Sequence, residues 1–305
     1  MTAYFIILLA VFGFTAQFVF TKMYGSSVRQ TTVSSLVMLV FISVIGALTY
    51  LIIGGFKVNV SPFSLLCALL MALVMLPYYM IGIKVISLGS LAIYSMFMML
   101  GGMLVPFFYG VWFLNETVSV AQIIGTVLLT LFIVLQAISQ SNIEAPSGKN
   151  QPRRAKIVFL ILCLIIFFVN GLTGVIAKAH QINTDAVDEV SYTVISCAFT
   201  ALLSLILLGL QFLKNPKEKT RQMISTLKVR PMWIMALIGI TTYTANFLHL
   251  LAASEVPASV QFPLVSGGVI VLSALVSVFL FKEKISKMEW IAIGGAFAST
   301  VLFAF

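Results

Sequence analysis

Charge is scarce in this chain. Aspartate and glutamate number 9 and lysine and arginine 18 among 305 residues, 9% in all, where a soluble domain carries about a quarter. A soluble fold of this length could not cover its surface with so few. Cysteine is scarcer still. Cys67, Cys163 and Cys197 fall inside apolar runs with no paired spacing, which gives no redox or metal motif and reads as small packing residues. The two histidines, His180 and His249, are too few to build a metal site with scattered cysteines and no nearby acid. No phosphate-cradling glycine loop or ATP motif is present. Primary active transport is therefore unsupported, no cofactor is expected, and the chain is not expected to be an enzyme.

Apolar residues are what the chain has instead, 61% of it, with a mean hydropathy of +1.12. They fall into ten runs near twenty residues long: Ala3–Phe20, Thr32–Ile53, Phe63–Ile86, Leu91–Leu114, Val120–Gln136, Ile157–Ala177, Val190–Phe212, Met232–Ala252, Ala258–Phe281 and Trp290–Phe305. The runs are continuous, without the alternation of barrel strands, so the spacing predicts membrane-spanning helices. The first run has no basic segment ahead of it and no cleavage site before Lys22, and is expected to be retained. Only two connections are long and polar, Ser139–Lys156 and Lys214–Pro231.

The net charge of +9 reports topology rather than nucleic-acid binding. With ten spans the connections alternate between two faces. Sixteen of the eighteen basic residues lie on one face, and only Lys57 and Lys178 lie on the other. Basic residues resist translocation, which makes the rich face cytoplasmic and both termini extracytoplasmic. The expected location is a plasma or inner membrane, crossed many times.

The sequence also repeats. Moving the second half back by 167 positions aligns the third to fifth runs with the eighth to tenth without a gap. Tyr79 then meets Asn246, Tyr94 meets Gln261, Gly101 meets Gly268, Glu116 meets Glu283 and Ser119 meets Ser286. The first runs of the halves align at 156, with Lys22 opposite Lys178, and a longer connection before Pro231 takes up the eleven-residue difference. Five spans is an odd number, so the second half must enter the membrane inverted. The expected fold is an all-α integral membrane protein of ten transmembrane helices in two inverted five-helix repeats. Residues 1–140 form the first, 141–156 a cytoplasmic linker and 157–305 the second.

Leu114-Asn115-Glu116-Thr117-Val118-Ser119, with Gln122 and Gly125, resembles the end of the fourth helix in the drug/metabolite transporter superfamily. Lys282-Glu283-Lys284-Ile285-Ser286, with Gly294-Gly295, is similar to the same element at the end of the ninth. Pro106 fits that pattern, but its repeat partner Ser273 does not. The resemblance covers the whole chain in an EamA-like arrangement. Ser266–Leu275 is also similar, more distantly, to a helix of the small multidrug-resistance proteins. Those carry a membrane-embedded glutamate in their first helix. Here that helix offers Gly13, Thr15 and Gln17, which speaks against proton-coupled antiport of cationic drugs. In the superfamily, helices three, four, eight and nine contribute to a central cavity.

Polar groups inside the runs are the candidate site residues, because unpaired polar atoms are costly in hydrocarbon. These are Gln17, Tyr78, Tyr79, Tyr94, Asn170, Tyr243, Asn246, His249 and Gln261. Each either touches a substrate or ties neighbouring helices together. His249 is the histidine inside a span and the candidate for any proton coupling. Met96, Met98, Met99 and Met103 either line an adaptable pocket or face lipid. Glu116 and Glu283, beside turn residues, read first as interfacial or capping groups. The glycine pairs Gly101-Gly102 and Gly267-Gly268 read as close helix contacts. The function expected is a secondary transporter or facilitator of a small organic metabolite or drug-like compound, working by alternating access through a cavity between the repeats. The other reading is a lipid flippase component or membrane scaffold. Partners are a small-molecule substrate and membrane lipids, with no nucleic acid; the oligomeric state is left open.

Overall fold

In hydrocarbon a backbone amide has no water to bond, so an apolar run satisfies itself as helix. The structure, a computed structural model, describes residues 2–141, 153–253, 256 and 258–302. These form eleven α-helices and, among the described residues, no strand. They are α1 (Thr2–Ser27), α2 (Thr32–Ile53), α3 (Pro62–Leu88), α4 (Leu91–Phe113), α5 (Val120–Ser141), α6 (Arg153–Gln181), α7 (Glu189–Lys214), α8 (Pro216–Thr226), α9 (Val229–Ala253), α10 (Ala258–Phe279) and α11 (Lys287–Leu302). The described residues of each apolar run fall largely on one of them. Seven are long and apolar enough to cross a membrane: α1, α2, α3, α4, α6, α7 and α9. Shorter apolar stretches lie at Val120–Phe132 and Leu264–Phe279. The chain is an all-α, multi-pass membrane protein.

Three departures from the sequence expectation bear on the fold. α1 runs past Phe20 to Ser27, because Thr21 and Tyr24 are buried and the Tyr24 hydroxyl donates to the Ser34 carbonyl at 2.7 Å. Lys22 thus lies inside α1 rather than at its end. α8 occupies the connection expected to be a long polar loop. α6 begins at Arg153, so the last residues of the expected linker, 153–156, are helical; 142–152 lie outside the described residues.

Hydroxyls within the helices bond to carbonyls one turn back, as Thr200 does to Ser196 (2.7 Å) and Ser299 to Gly295 (2.7 Å). Burial without another partner is then affordable. Large apolar side chains stand exposed along the same helices, Phe12 at 53% and Phe168 at 58%, which water would penalise and lipid does not.

The chain divides into two compact units, and each draws on both sequence halves. Unit 1 comprises Met1–Val19, Leu88–Gly171 and Thr244–Phe305. Its apolar core joins Met96, Leu100 and Met103 of α4 to Ile270 and Ala274 of α10 and to Ile293 and Ala296 of α11. Met96 and Met98 are fully buried, so these methionines are packing residues of a helix core. Glycines set the spacing. A Cβ on Gly101 would lie 2.1 Å from the Phe167 carbonyl oxygen, and one on Gly267 2.5 Å from the Thr300 hydroxyl.

Unit 2 comprises Phe20–Ser87 and Leu172–Tyr243. One of its cores combines Tyr24, Val37, Ile42, Tyr79 and Ile83 with Ile234 and Ile238 of α9. A second joins Cys67 and Met71 of α3 to Tyr192 and Ile195 of α7.

The repeat has local counterparts. Asn115 and Lys282 both hold left-handed backbone, and the following N–H, of Glu116 or Glu283, returns to Gly110 or Ser277 at 3.1 Å. α5 and α11 start with the same reciprocal cap. Ser119 Oγ accepts from Gln122 N–H, and Gln122 Oε1 from Ser119 N–H. Ser286 and Glu289 do likewise. All of these pairs are 167 positions apart.

Candidate functional site

Helix α1 carries the organising face in unit 1. Val11, Phe14 and Phe18 recur at helical spacing. Val11 meets the backbone of α10, where a Cβ on Gly268 would lie 3.0 Å away. Phe14 lies edge-on to the His249 ring of α9, with centroids 6.3 Å apart. Phe18 lies edge-on to Tyr94 of α4 at 5.4 Å and 81°. Gln17, one residue before Phe18, is 5% exposed and engaged in a polar or ring contact.

Gln261, in the first turn of α10, faces His249 directly. Its amide nitrogen lies 3.0 Å from His249 Nδ1 and also donates to the His249 carbonyl. An amide N–H directed at Nδ1 makes that nitrogen the acceptor, so the neutral ring carries its proton on Nε2. The Gln261 side chain is fully buried, and its Oε1 has no hydrogen-bond partner among the described residues. A buried acceptor left unmet costs on the order of 1–3 kcal/mol. Asn246, one helical turn before His249, is exposed and already engaged in an interaction.

Asn170 has a different job. Its amide donates to the Met98 carbonyl at 2.6 Å, and its nitrogen lies 2.6 Å from where a Gly102 Cβ would stand. It ties α6 to α4 across the glycine contact.

The remaining candidates belong to unit 2. The Tyr78 and Tyr79 rings meet edge to face at 5.0 Å. Tyr79 is 9% exposed and hydrogen-bonds the Thr242 side chain. Tyr243 accepts from the Cys197 thiol at 3.0 Å, and its ring stands edge-on to Tyr50 at 6.1 Å. A Cβ on Gly46 would lie 2.2 Å from Tyr243 Cζ, so this ring needs a glycine beneath it. Of the two repeat-related pairs, Tyr94 and Gln261 share unit 1, whereas Tyr79 lies in unit 2 and Asn246 in unit 1.

Glu283 caps a helix. Its carboxylate accepts from the Ser90 hydroxyl and the Leu91 N–H, each at 3.0 Å, and from the Ser277 hydroxyl. Leu91 opens α4, so the acid sits on the positive end of that helix dipole. Sequence reasoning missed a second polar cluster, in unit 2. His180 Nε2 lies 3.0 Å from Ser64 Oγ, and the imidazole stacks on Tyr192 at 3.9 Å. Ser64 Oγ also accepts from Val187 N–H at 3.0 Å. His180 lies at the end of an apolar run, so a periodicity search gave no signal for it. Among the described residues no three of His, Cys, Asp and Glu come together as a metal-binding group.

No protein-family model matches this chain, and no curated protein matches it.

Proposed function

We propose that the chain is a secondary transporter or facilitator of a small organic solute, of the drug/metabolite transporter type, with its binding site in the α1–α4–α9–α10 cluster of unit 1. The observation that carries this reading is the Gln261 amide. Its nitrogen is committed to His249, whose ring Phe14 meets edge-on, and its oxygen is buried without a hydrogen-bond partner among the described residues. Such an arrangement suits a solute that presents an N–H or O–H donor from an apolar or aromatic body. Phe14, Phe18 and Tyr94 supply the rings, and Gln17 and Asn246 supply further polar contacts.

The ten-span, inverted-repeat architecture is part of the same reading. It is supported by the matched left-handed turns and caps 167 positions apart. It is also supported by which connections meet within each unit. Glu283 reaches Ser90 and Leu91, and Asn59 reaches Asp188 and Ser191. In the alternating ten-span topology both meetings are between connections on one face. A plasma or inner membrane, with the basic face cytoplasmic and both termini outside, follows from the charge bias.

The test is counterflow in liposomes holding the purified chain, run over a panel of water-soluble metabolites. Protein-dependent exchange of a soluble compound supports the transporter. Movement of labelled phospholipid between leaflets, with no soluble compound exchanged, would instead favour the lipid flippase.

A further inference from the structure

Helix α8 is the one described helix with no counterpart in the first half. The offset between the halves changes from 156 to 167 across this region, and the eleven residues gained equal the 11 residues of α8. It is an addition to the repeat. One face of it is held in unit 2. Thr226 is buried, Met223 packs against the core around Tyr24 and Ile234, and α8 contacts α2 and α7. The opposite face is open. Lys217, Arg221 and Ile224 follow each other at spacings of four and three on α8, which places them on one stripe, and Lys228 stands two residues past the end of the helix. All four are exposed, Ile224 at 60%.

The surroundings share this character. Residues 214–231 contain six basic residues and a single acid, Glu218. That acid accepts from the side-chain amides of Asn215 (3.1 Å) and Gln222 (2.9 Å), and one acid against six bases leaves the segment strongly positive. Leu227, Val229 and Trp233 stand exposed at 41%, 71% and 69% where the chain passes into α9. Apolar and aromatic groups beside lysine and arginine, at the start of an apolar helix, match the boundary of a bilayer.

We propose that α8 is an interfacial anchor lying in the headgroup layer, where Lys217, Arg221 and Lys228 hold the phosphates of anionic phospholipids while Ile224 and Leu227 dip toward the acyl chains. This inference is independent of what the chain transports. Anionic lipid enriches the cytoplasmic leaflet, and each basic side chain near it adds attraction that salt screens. The added helix therefore fixes the second half at the basic face by lipid contact.

Native mass spectrometry of the full-length chain, extracted from mixed phosphatidylcholine and phosphatidylglycerol membranes, measures the preference. The wild type should retain phosphatidylglycerol over phosphatidylcholine. The triple variant Lys217→Gln, Arg221→Gln, Lys228→Gln should lose roughly fivefold of that preference per residue, about a hundredfold together. Inorganic phosphate should not displace the lipid; displacement would show a free-anion site and overturn the membrane assignment. Equal retention by variant and wild type would overturn it as well. A second measurement does not depend on the triple variant folding. The three native cysteines are buried, so a fluorophore on Ile224→Cys reports this stripe alone. Quenching by nitroxide-bearing lipids is expected, and quenching only by a water-soluble agent would contradict the proposal.

Discussion

Asn115 and Lys282 stand 167 positions apart and hold the same left-handed turn, with φ of 54° and 53°. Each follows an apolar helix and precedes a glutamate whose N–H closes the turn. Asparagine tolerates that backbone region; lysine gains nothing from it. Lys282→Asn should therefore raise thermal stability slightly, and Asn115→Val and Lys282→Val should each cost about 1–2 kcal/mol. Melting of purified variants in one detergent checks this. A loss at one position only would separate the two turns and weaken the repeat.

The glycines sort into two groups. Gly101→Ala would drive a methyl group onto the Phe167 backbone and should cost about 1–3 kcal/mol or prevent folding. Added Cβ atoms on Gly209 of α7 and Gly294 of α11 meet nothing within 4 Å. Alanine there should stabilise by up to about 1 kcal/mol through the helix backbone alone. Melting temperatures for the three variants decide it, and a neutral Gly101→Ala would refute the close contact.

Acid should loosen the start of α7. Burial pushes the Asp188 carboxyl up, but hydrogen bonds from Ser191 N–H, the Ser191 hydroxyl and the Asn59 amide outweigh it and hold the group below the usual carboxylate range. A carboxyl held low in the folded chain gives stability that is complete above the ordinary carboxylate pKa. That stability is lost as pH falls through the lowered value. Asp188→Asn should flatten the acid side of a melting-temperature profile and cost up to about 1 kcal/mol at neutral pH. An unchanged acid limb would show that other groups set it.

On the proposed transporter reading, proton linkage should pass through His249. Its Nδ1 accepts from Gln261, so a second proton there would break that bond and turn the amide. Uptake measured against pH in liposomes should be weakly coupled, and His249→Ala should abolish whatever dependence remains. Strong proton-driven accumulation surviving that change would contradict this.

Much of the fold was legible because hydrocarbon imposes one rule on the backbone, and continuous apolar runs such as Thr32–Ile53 became helices with the same ends. The turn at Glu116 and Glu283 was legible as a motif, since its acid and serine sit at fixed offsets in both copies. α8 was not. Its sequence is polar and short, and it is helical through Met223 and Thr226 packing on α2 and α7. The site was legible as residue types only. Nothing in the spacing showed that Gln261 would turn its nitrogen to His249, that Asn170 would bond to Met98, or that Tyr79 and Asn246 would fall in different units. Those outcomes depend on side-chain partners far apart in sequence.

The central claim, a solute site built on the Gln261 oxygen, is tested most directly by one variant measured two ways. Gln261→Leu keeps much of the volume and removes the acceptor. For the soluble compound that exchanges best, affinity should fall roughly tenfold or more, as loss of a buried hydrogen bond implies. The melting temperature without compound should fall too, because the amide bonds to His249 are lost with the side chain, so affinity is the deciding readout. Lower melting with unchanged affinity would make Gln261 a helix tie and contradict the site.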